Sequence, residues 1–175
     1  MEFSKYFRYC PVCGAAEFVV NNFKSKRCEK CGFVLYVNPS AATAAFILNE
    51  KNELLVCRRG KEPAKGTLDL PGGFVDDDET AEEAITREIA EELGGSVKSL
   101  KYLFSLPNLY EYSGLTIPTL DMLFACSLKS YSGLSAADDV ETFEFIPLDR
   151  VNPADFGLKS IKRAVEMFLR ERSGR

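Results

Sequence analysis

The segment from Gly73 to Gly95, GFVDDDETAEEAITREIAEELGG, carries nine acidic residues and a single basic one, Arg87. So strong a local negative field repels itself unless cations are bound in it or the carboxylates are spread over a solvated helix face; charge alone leaves both readings open. The local signals are helical. Thr80-Ala81-Glu82-Glu83 is a capping box, and Gly94-Gly95 stops the helix after Leu93. Ile85, Ile89 and Leu93 recur every four residues along its buried face. At about 100° per residue, Glu88, Glu91 and Glu92 fall within an arc of about 100° beside that apolar stripe, which puts three carboxylates at the edge of the core. Like charges at this spacing repel by roughly 0.2–0.5 kcal/mol per pair. A helix that gathers them after Asp76, Asp77 and Asp78 calls for a functional explanation, and metal binding supplies one.

Composition narrows the chemistry. The 175 residues include no histidine, which excludes a Ser-His-Asp triad, a Cys-His pair, an imidazole ligand or a histidine proton shuttle. Carboxylates, cysteines and bound metal remain. Three glutamates on one helix beside a Gly-Gly turn make an all-oxygen site for a hard divalent cation, most simply Mg²⁺ or Mn²⁺, and a poor one for zinc. Such a site does phosphoryl chemistry by neutralising phosphate oxygens, orienting a water and stabilising the leaving group, so phosphate esters or anhydrides are the expected substrates.

A second constellation lies at the other end of the chain. Cys10-Pro-Val-Cys13 and Cys28-Glu-Lys-Cys31 are separated by fourteen residues, each pair followed directly by glycine. Each turn points two thiolates at one tetrahedral ion, so the spacing predicts a structural four-cysteine Zn²⁺ site. A pair of disulfides and a redox dithiol are the competing readings. Residues 1–39 hold six Lys/Arg against three Asp/Glu, whereas residues 40–175 hold sixteen against twenty-three. That split predicts two modules, a ribbon over residues 1–38 and a larger domain over 39–175. Cys57 and Cys126 lie in apolar runs and read as buried core thiols.

Phe18–Val20, Phe23–Lys26 and Phe33–Val37 read as short strands around the cysteine knuckles, too small a unit to be stable without metal. Ala41–Leu48 and Leu54–Arg58 read as a hairpin joined at Glu50-Lys51-Asn52. Residues 60–67 (GKEPAKGT) and Pro71-Gly72-Gly73 read as loops suited to binding. Val97–Ser105, Thr119–Leu128 and Glu141–Pro147 are expected strands, with a long substrate-selecting loop from Pro107 to Pro118. A helix is expected from Gly157 to Arg172, with Leu158, Ile161, Ala164, Val165, Phe168 and Leu169 on its inner face. The result is a mixed α/β domain. The longest apolar stretch, Ala41–Leu48, is far below the roughly 18 residues that span a bilayer. The start MEFSKYFRYC lacks an apolar signal core, so no membrane association and a cytoplasmic location are expected.

The acidic segment resembles the signature of the Nudix hydrolases: Gly, five residues, Glu, seven residues, Arg-Glu-apolar-x-Glu-Glu-x-Gly. Gly73, Glu79, Arg87, Glu88, Ile89, Glu91, Glu92 and Gly94 meet it, eight fixed positions over 22 residues. Gly95 stands where the family usually has an aliphatic residue. The preceding LDLPGGF is similar to the family's approach to this box. The resemblance implies a Nudix fold, a mixed sheet sandwiched by helices. It also implies Mg²⁺-dependent hydrolysis of the diphosphate linkage in a nucleoside diphosphate derivative: a dinucleotide such as NADH, ADP-ribose, FAD or a nucleotide sugar. Glu88 and Glu92 would hold the Mg²⁺ together with the Gly72 carbonyl, Glu91 would be a further ligand or the base, and Arg87 would hold Glu79 and its loop. Helix geometry also offers Arg87 the neighbours Glu83 and Glu91. Asp138, Asp139 and Glu141 occupy the downstream loop in which the family sometimes places its base. Phe74, Tyr110 and Tyr112 are candidates for stacking on a nucleobase. A homodimer is expected by similarity.

A zinc ribbon directly before such a domain resembles the NADH pyrophosphatase arrangement. That subfamily carries Ser-Gln-Pro-Trp-x-Phe-Pro-x-Ser after the box. This chain reads Ser105-Leu106-Pro107-Asn108-Leu109-Tyr110 and has no tryptophan. Two other activities are weighed: a house-cleaning nucleoside triphosphate pyrophosphohydrolase, and a zinc-ribbon regulator that binds nucleic acid and senses a ligand through the Nudix domain. Lys24, Lys26, Arg27 and Lys30 form only a modest basic cluster for the latter, which argues against a nucleic-acid partner.

Overall fold

The computed structural model describes residues 6–173. The chain forms two compact units, each with its own core. One runs to Pro39 and takes in Leu109–Pro118; the other comprises Ser40–Asn108 and the chain from Thr119 onward.

In the smaller unit, β1 (Phe18–Asn22), β2 (Ser25–Cys28) and β3 (Val34–Tyr36) form an antiparallel sheet in the order β1-β2-β3. Val19 faces Arg27 across the first pair, and Lys26 faces Leu35 across the second. The second strand starts two residues later than its sequence suggests, because Phe23 and Lys24 form the turn. There the Lys24 N–H donates to the Asn22 side chain at 3.0 Å. Cys10, Ala15, Phe18 and Cys28 are buried, with Phe7, Phe33 and Leu35 packed against them.

The larger unit contains β4 (Ser40–Ile47), β5 (Glu53–Arg59), β6 (Leu68–Asp69), α1 (Ala81–Leu93), β9 (Val140–Pro147) and α2 (Lys159–Ser173), with most of the long strands β7 (Val97–Tyr112) and β8 (Leu115–Leu128). Its strands form two three-stranded sheets, β4-β8-β7 and β6-β5-β9. The β4–β8 pairing is parallel over eight positions, Ser40 opposite Thr119 through Ile47 opposite Cys126, while β5 pairs antiparallel with both its neighbours. This is the mixed sheet between helices expected of the sequence.

Alternation along β4 and β5 explains why both read as continuous apolar runs. Ala44, Phe46, Leu54 and Val56 pack with Ile161, Ala164, Val165 and Phe168 of α2, and the Phe46 and Phe168 rings stack at 4.0 Å. Ala45, Ile47, Leu55 and Cys57 point the other way and pack with Ile85, Ile89 and Leu93 of α1. Both faces are covered, so both need apolar side chains. Cys57 and Cys126 are buried in this second cluster.

Two sequence expectations are corrected. β4 and β5 do not form a hairpin: their one antiparallel bridge is Leu48 to Leu54, after which they enter different sheets. The polar turn between them does form, with the Asn49 side chain accepting from the N–H groups of Lys51 and Glu53. However, β4 takes its ladder from β8, far away in the chain. Nor is Pro107–Pro118 a loop, because β7 and β8 run through it as neighbouring strands that turn at Ser113 and Gly114. The φ values there, 50° and 78°, are the pair a tight primed hairpin turn requires. Pro107 is tolerated because β7 is the edge of its sheet. Pro118 is tolerated because it precedes Thr119, where β4 begins to pair with β8. Among the described residues no helix is long and apolar enough to cross a membrane.

Candidate functional site

The site begins with a close backbone approach. Residues 71–75 run alongside β4: the Ala45 N–H donates to Pro71 O at 2.9 Å, Thr43 N–H to Gly73 O at 2.8 Å, and Val75 N–H to Ala41 O at 3.1 Å. Gly72 has φ of 147°, and a Cβ on it would lie 2.1 Å from Thr43 O. No side chain fits there. At Gly73 the obstruction is chemical: a Cβ would meet Glu88 Oε1 at 2.3 Å. The two glycines therefore form a bare strip of backbone on which carboxylates of α1 rest.

Helix α1 presents those carboxylates. Thr80 caps it, with Glu83 reaching back to the Thr80 N–H, and Gly94 closes it in a left-handed conformation. Ile85, Ile89 and Leu93 anchor its inner face. Glu92 is buried at the edge of that face, where its Oε2 accepts from the Gly72 N–H at 3.0 Å. Three glutamates occupy the last two turns of a helix with no basic residue in its last turn. The negative end of the helix dipole opposes that placement, so the arrangement works against helix stability.

Arg87 ties the helix to the loop before it. Its Nε and one terminal nitrogen grip the two oxygens of Glu79, both at 2.9 Å, and the latter nitrogen also donates to Phe74 O at 3.0 Å. The other terminal nitrogen reaches Glu88 Oε1 at 2.9 Å and Glu91 Oε2 at 3.1 Å. Of the two helix neighbours offered by spacing, Arg87 takes Glu91, while Glu83 is engaged by its capping role. Arg87 thus draws both Glu88 and Glu91, and of the three glutamates Glu88 and Glu92 lie on the glycine strip.

Electrostatics separates these carboxyls. Glu79 is held below the ordinary carboxylate range, first by the Arg87 hydrogen bonds and then by the Asp76 N–H. Burial pushes Glu92 up to about 9 despite the Gly72 N–H, and the charges of Glu88, Asp69 and Asp139 add to the rise. Burial also raises Glu88, although Arg87 beside it works the other way. Desolvated carboxylates that raise one another's proton affinity form an oxygen donor set that a divalent cation would return to the ionised state, so the residues present fit Mg²⁺ or Mn²⁺.

Of the next layer, the sequence offered Asp138, Asp139 and Glu141 as a downstream acidic loop but did not pick out Asp69 or Lys61. Asp69 is buried and takes Arg59 at 2.5 Å and the Leu70 N–H at 2.8 Å; burial raises its pKa despite Arg59. Asp138 and Asp139 form an acidic turn fastened to the end of α1 through the Ala137 N–H, which donates to Glu92 O at 2.9 Å. Lys61 bridges both aspartates. Glu141 is exposed near the start of β9, by the pairing irregularity between Arg58 and Arg59. Partners such as Lys61 and Asp138, 77 residues apart, carry no local sequence signal.

The aromatic candidates divide. Phe74 belongs to the glycine strip and forms an isolated bridge with Ala42. Tyr110 and Tyr112 lie on β7 within the smaller unit, Tyr110 half-buried and Tyr112 exposed, not in the unit that holds the glutamates.

In the smaller unit the Sγ atoms of Cys10, Cys13, Cys28 and Cys31 lie within 4.8 Å of one another, with Cys10–Cys31 and Cys13–Cys28 each at 3.6 Å. A tetrahedral Zn²⁺ with bonds of about 2.3 Å needs sulfurs about 3.8 Å apart, so the four thiols fit it. The separations are far longer than a disulfide, and all six cysteines are free thiols. The Cys31 N–H is the first cause that lowers the Cys28 thiol to about 7, while against the Phe33 N–H burial and the neighbouring cysteines push Cys31 up to about 12.

The sequence profile of the NUDIX domain matches residues 38–166. The chain is 34% identical over 142 residues to the ADP-ribose pyrophosphatase of Methanocaldococcus jannaschii, covering 80% of this chain and 79% of that one. It is 23% identical over 171 residues to the NAD-capped RNA hydrolase NudC of Pseudomonas aeruginosa; that match takes in 98% of this chain but only 59% of the relative. Among solved structures, a NUDIX hydrolase from Nitrosomonas europaea superposes with a TM-score of 0.72 at 21% identity, covering 95% of this chain and 93% of that one. The NUDIX domain of Shewanella oneidensis NrtR, solved with ADP ribose, superposes with a TM-score of 0.62 at 21% identity, covering 78% and 90%.

Proposed function

The chain belongs to the Nudix family, hydrolases of phosphorus-containing anhydrides, and on that premise we propose that it is a Mg²⁺-dependent pyrophosphohydrolase that opens the diphosphate bridge of a nucleoside diphosphate derivative, ADP-ribose first among them. The observation that carries this reading is the seating of Glu88 and Glu92 on the bare backbone of Gly72 and Gly73. Glu88, Glu92 and the Gly72 carbonyl would hold the ion. Its chemistry when bound is neutralisation of the diphosphate oxygens and activation of water.

The chain's own groups do the rest. Arg87, gripping Glu79 and Phe74 O, fixes the loop to the helix so that both halves of the site keep one geometry. Water attacks one phosphorus, the bridging P–O bond breaks, and the bridging oxygen leaves with the other phosphate. The proton lost by the water passes to a carboxylate. With Glu88 and Glu92 engaged, Glu91 and the Asp138–Asp139 turn are the groups left to take it. The four cysteines hold a structural Zn²⁺ that does not enter the reaction.

A second reading of the substrate, NAD or NAD-capped RNA, is favoured by the NudC match, which extends through the cysteine pairs. Product analysis separates the two. Full-length protein with Mg²⁺ is incubated in turn with ADP-ribose, NAD, NADH, FAD, nucleotide sugars and nucleoside triphosphates, and products are identified by mass. AMP with ribose 5-phosphate from ADP-ribose is the expected result. AMP with nicotinamide mononucleotide, at higher kcat/KM, moves the assignment to the dinucleotide. Pyrophosphate released from triphosphates alone overturns both.

A further inference from the structure

The loop between β5 and β6 and the acidic turn before β9 come from distant parts of the chain, yet they are joined at two levels. The Gly60 N–H donates to Asp139 O at 2.7 Å, and Lys61 Nζ lies 3.0 Å from Asp138 Oδ1 and 3.2 Å from Asp139 Oδ1. On its other side the turn is bonded to the end of α1: Ala137 N–H donates to Glu92 O at 2.9 Å, and Ser135 N–H to Leu93 O at 3.1 Å. Asp138 itself has φ of 52°, a conformation its surroundings must impose.

The turn is held where its charge is unwelcome. The end of α1 to which it is bonded carries Glu88, Glu91 and Glu92, so acidic side chains from two elements meet there. Arg87 cannot offset this, because its donors are committed to Glu79, Glu88, Glu91 and Phe74 O. Lys61 carries the positive charge that lies on the turn, and both aspartates raise its affinity for the proton.

We propose that Lys61 is a positioning residue: it clamps the Asp138–Asp139 turn against the glutamate end of α1 and so fixes the carboxylates available to accept the proton of the attacking water. This rests on the pyrophosphohydrolase reading for its effect on rate, but not for its effect on structure. Without the clamp, the turn, which holds Asp138 at a positive φ, keeps its backbone bonds through Gly60 and Ala137 but loses the side-chain anchor that fixes its two carboxylates. Both partners of the clamp are on the surface, so the consequence falls on geometry rather than on global stability.

The test combines activity with hydrogen exchange on the full-length protein. Lys61→Ala is expected to lower kcat about tenfold on the best nucleotide substrate, as a small misplacement of reacting groups does, with KM within about twofold of wild type. Lys61→Arg, which keeps the charge and reach, should restore kcat to within about threefold. In an Asp138→Ala/Asp139→Ala background, Lys61→Ala should cost nothing further, because Lys61 acts through that turn. Exchange of the Gly60 and Val140 amides should quicken in Lys61→Ala while the thermal midpoint stays unchanged. Wild-type kcat in Lys61→Ala together with unchanged amide protection overturns the proposal. So does an undiminished loss in the aspartate-free background. If no nucleotide is hydrolysed by the wild type, the substrate reading fails on its own, and the exchange experiment still decides whether the clamp exists.

Discussion

The two metal-suited clusters of this chain are built on opposite plans. The cysteine cluster is made of soft donors on a unit whose core is only four buried residues, Cys10, Ala15, Phe18 and Cys28, two of them members of the cluster itself. The carboxylate cluster is made of hard ligands on a helix anchored by Ile85, Ile89 and Leu93 in a core that includes Ile47, Leu55 and Phe124. In the first, two of the four candidate ligands are also half of the core, so metal binding and folding are expected to be coupled. In the second, the core pays for a site that is locally unfavourable: carboxylates at the negative end of a helix, desolvated and mutually repelling. Metal is thus expected to be structural in one unit and dispensable to folding in the other.

The largest effect that can break this contrast is loss of the proposed Zn²⁺. Structural zinc contributes about 10–16 kcal/mol of apparent binding energy in small zinc modules. Cys28→Ser, or stripping of the metal with a strong chelator, is therefore expected to abolish amide protection throughout β1–β3. The unit built on β4 and α1 should keep its cooperative unfolding transition. Hydrogen exchange read strand by strand checks this, and persistence of slow amides in β2 would show that the ribbon folds without its ion.

Next in size is Glu92→Gln. The amide is isosteric and still accepts from Gly72 N–H, yet removes a charge the ion needs. Turnover is expected to fall by about 10²–10³-fold or more. The thermal midpoint of the metal-free protein should be unchanged or higher, since Glu92, pushed up to about 9, must take up a proton to be buried near neutral pH and the amide is neutral already. Destabilisation alongside lost activity would place Glu92 with the cysteines, as a residue on which folding depends. Gly73→Ala is gentler, because the added methyl collides with the end of the Glu88 side chain rather than with backbone. Displacement of one ligand should lower kcat about 10–100-fold with the fold retained. Circular dichroism with initial-rate kinetics reads both quantities.

Legibility in the sequence follows the same division between local and distant causes. The limits of α1 could be read from Thr80, Glu83 and Gly94, since capping is decided within four residues. The cysteine knuckles could be read from spacing. The partner of β4 could not, because the parallel ladder to β8 depends on chain some 80 residues away, beyond the reach of any turn signal. Pro107 and Pro118 looked like breakers because a sequence does not reveal that one sits on a sheet edge and the other just ahead of the second ladder. Within the site, spacing brought Glu88, Glu91 and Glu92 to one side of the helix. Only the fold shows that Glu88 and Glu92 lie on the glycine strip and that Arg87 binds Glu88 together with Glu91. Lys61 and Asp69 acquire their surroundings from tertiary contacts alone.

The smallest expected effect concerns the cation that the carboxylate unit contains within itself. Arg87 holds the Glu79 carboxyl below its ordinary value of 4.5, while in the unfolded chain that group returns to it. A carboxyl whose pKa is depressed on folding contributes stability that is fully present above the unfolded value and is lost as the pH falls through the folded one. Glu79→Gln removes the contribution, so the wild-type protein should be the more stable from neutral pH down to about 5, and the gap should close below about 4.5. Paired urea titrations from pH 7 to 3 measure that gap directly, and common acid effects on the other carboxyls cancel between the two proteins. A gap that persists at pH 3 would mean that Glu79 is held by packing rather than by charge. The carboxylate unit would then resemble the cysteine unit more than its chemistry suggests: its loop would be a structural part of the fold, and Arg87 an ornament on it instead of the tie that aligns Glu88 and Glu91.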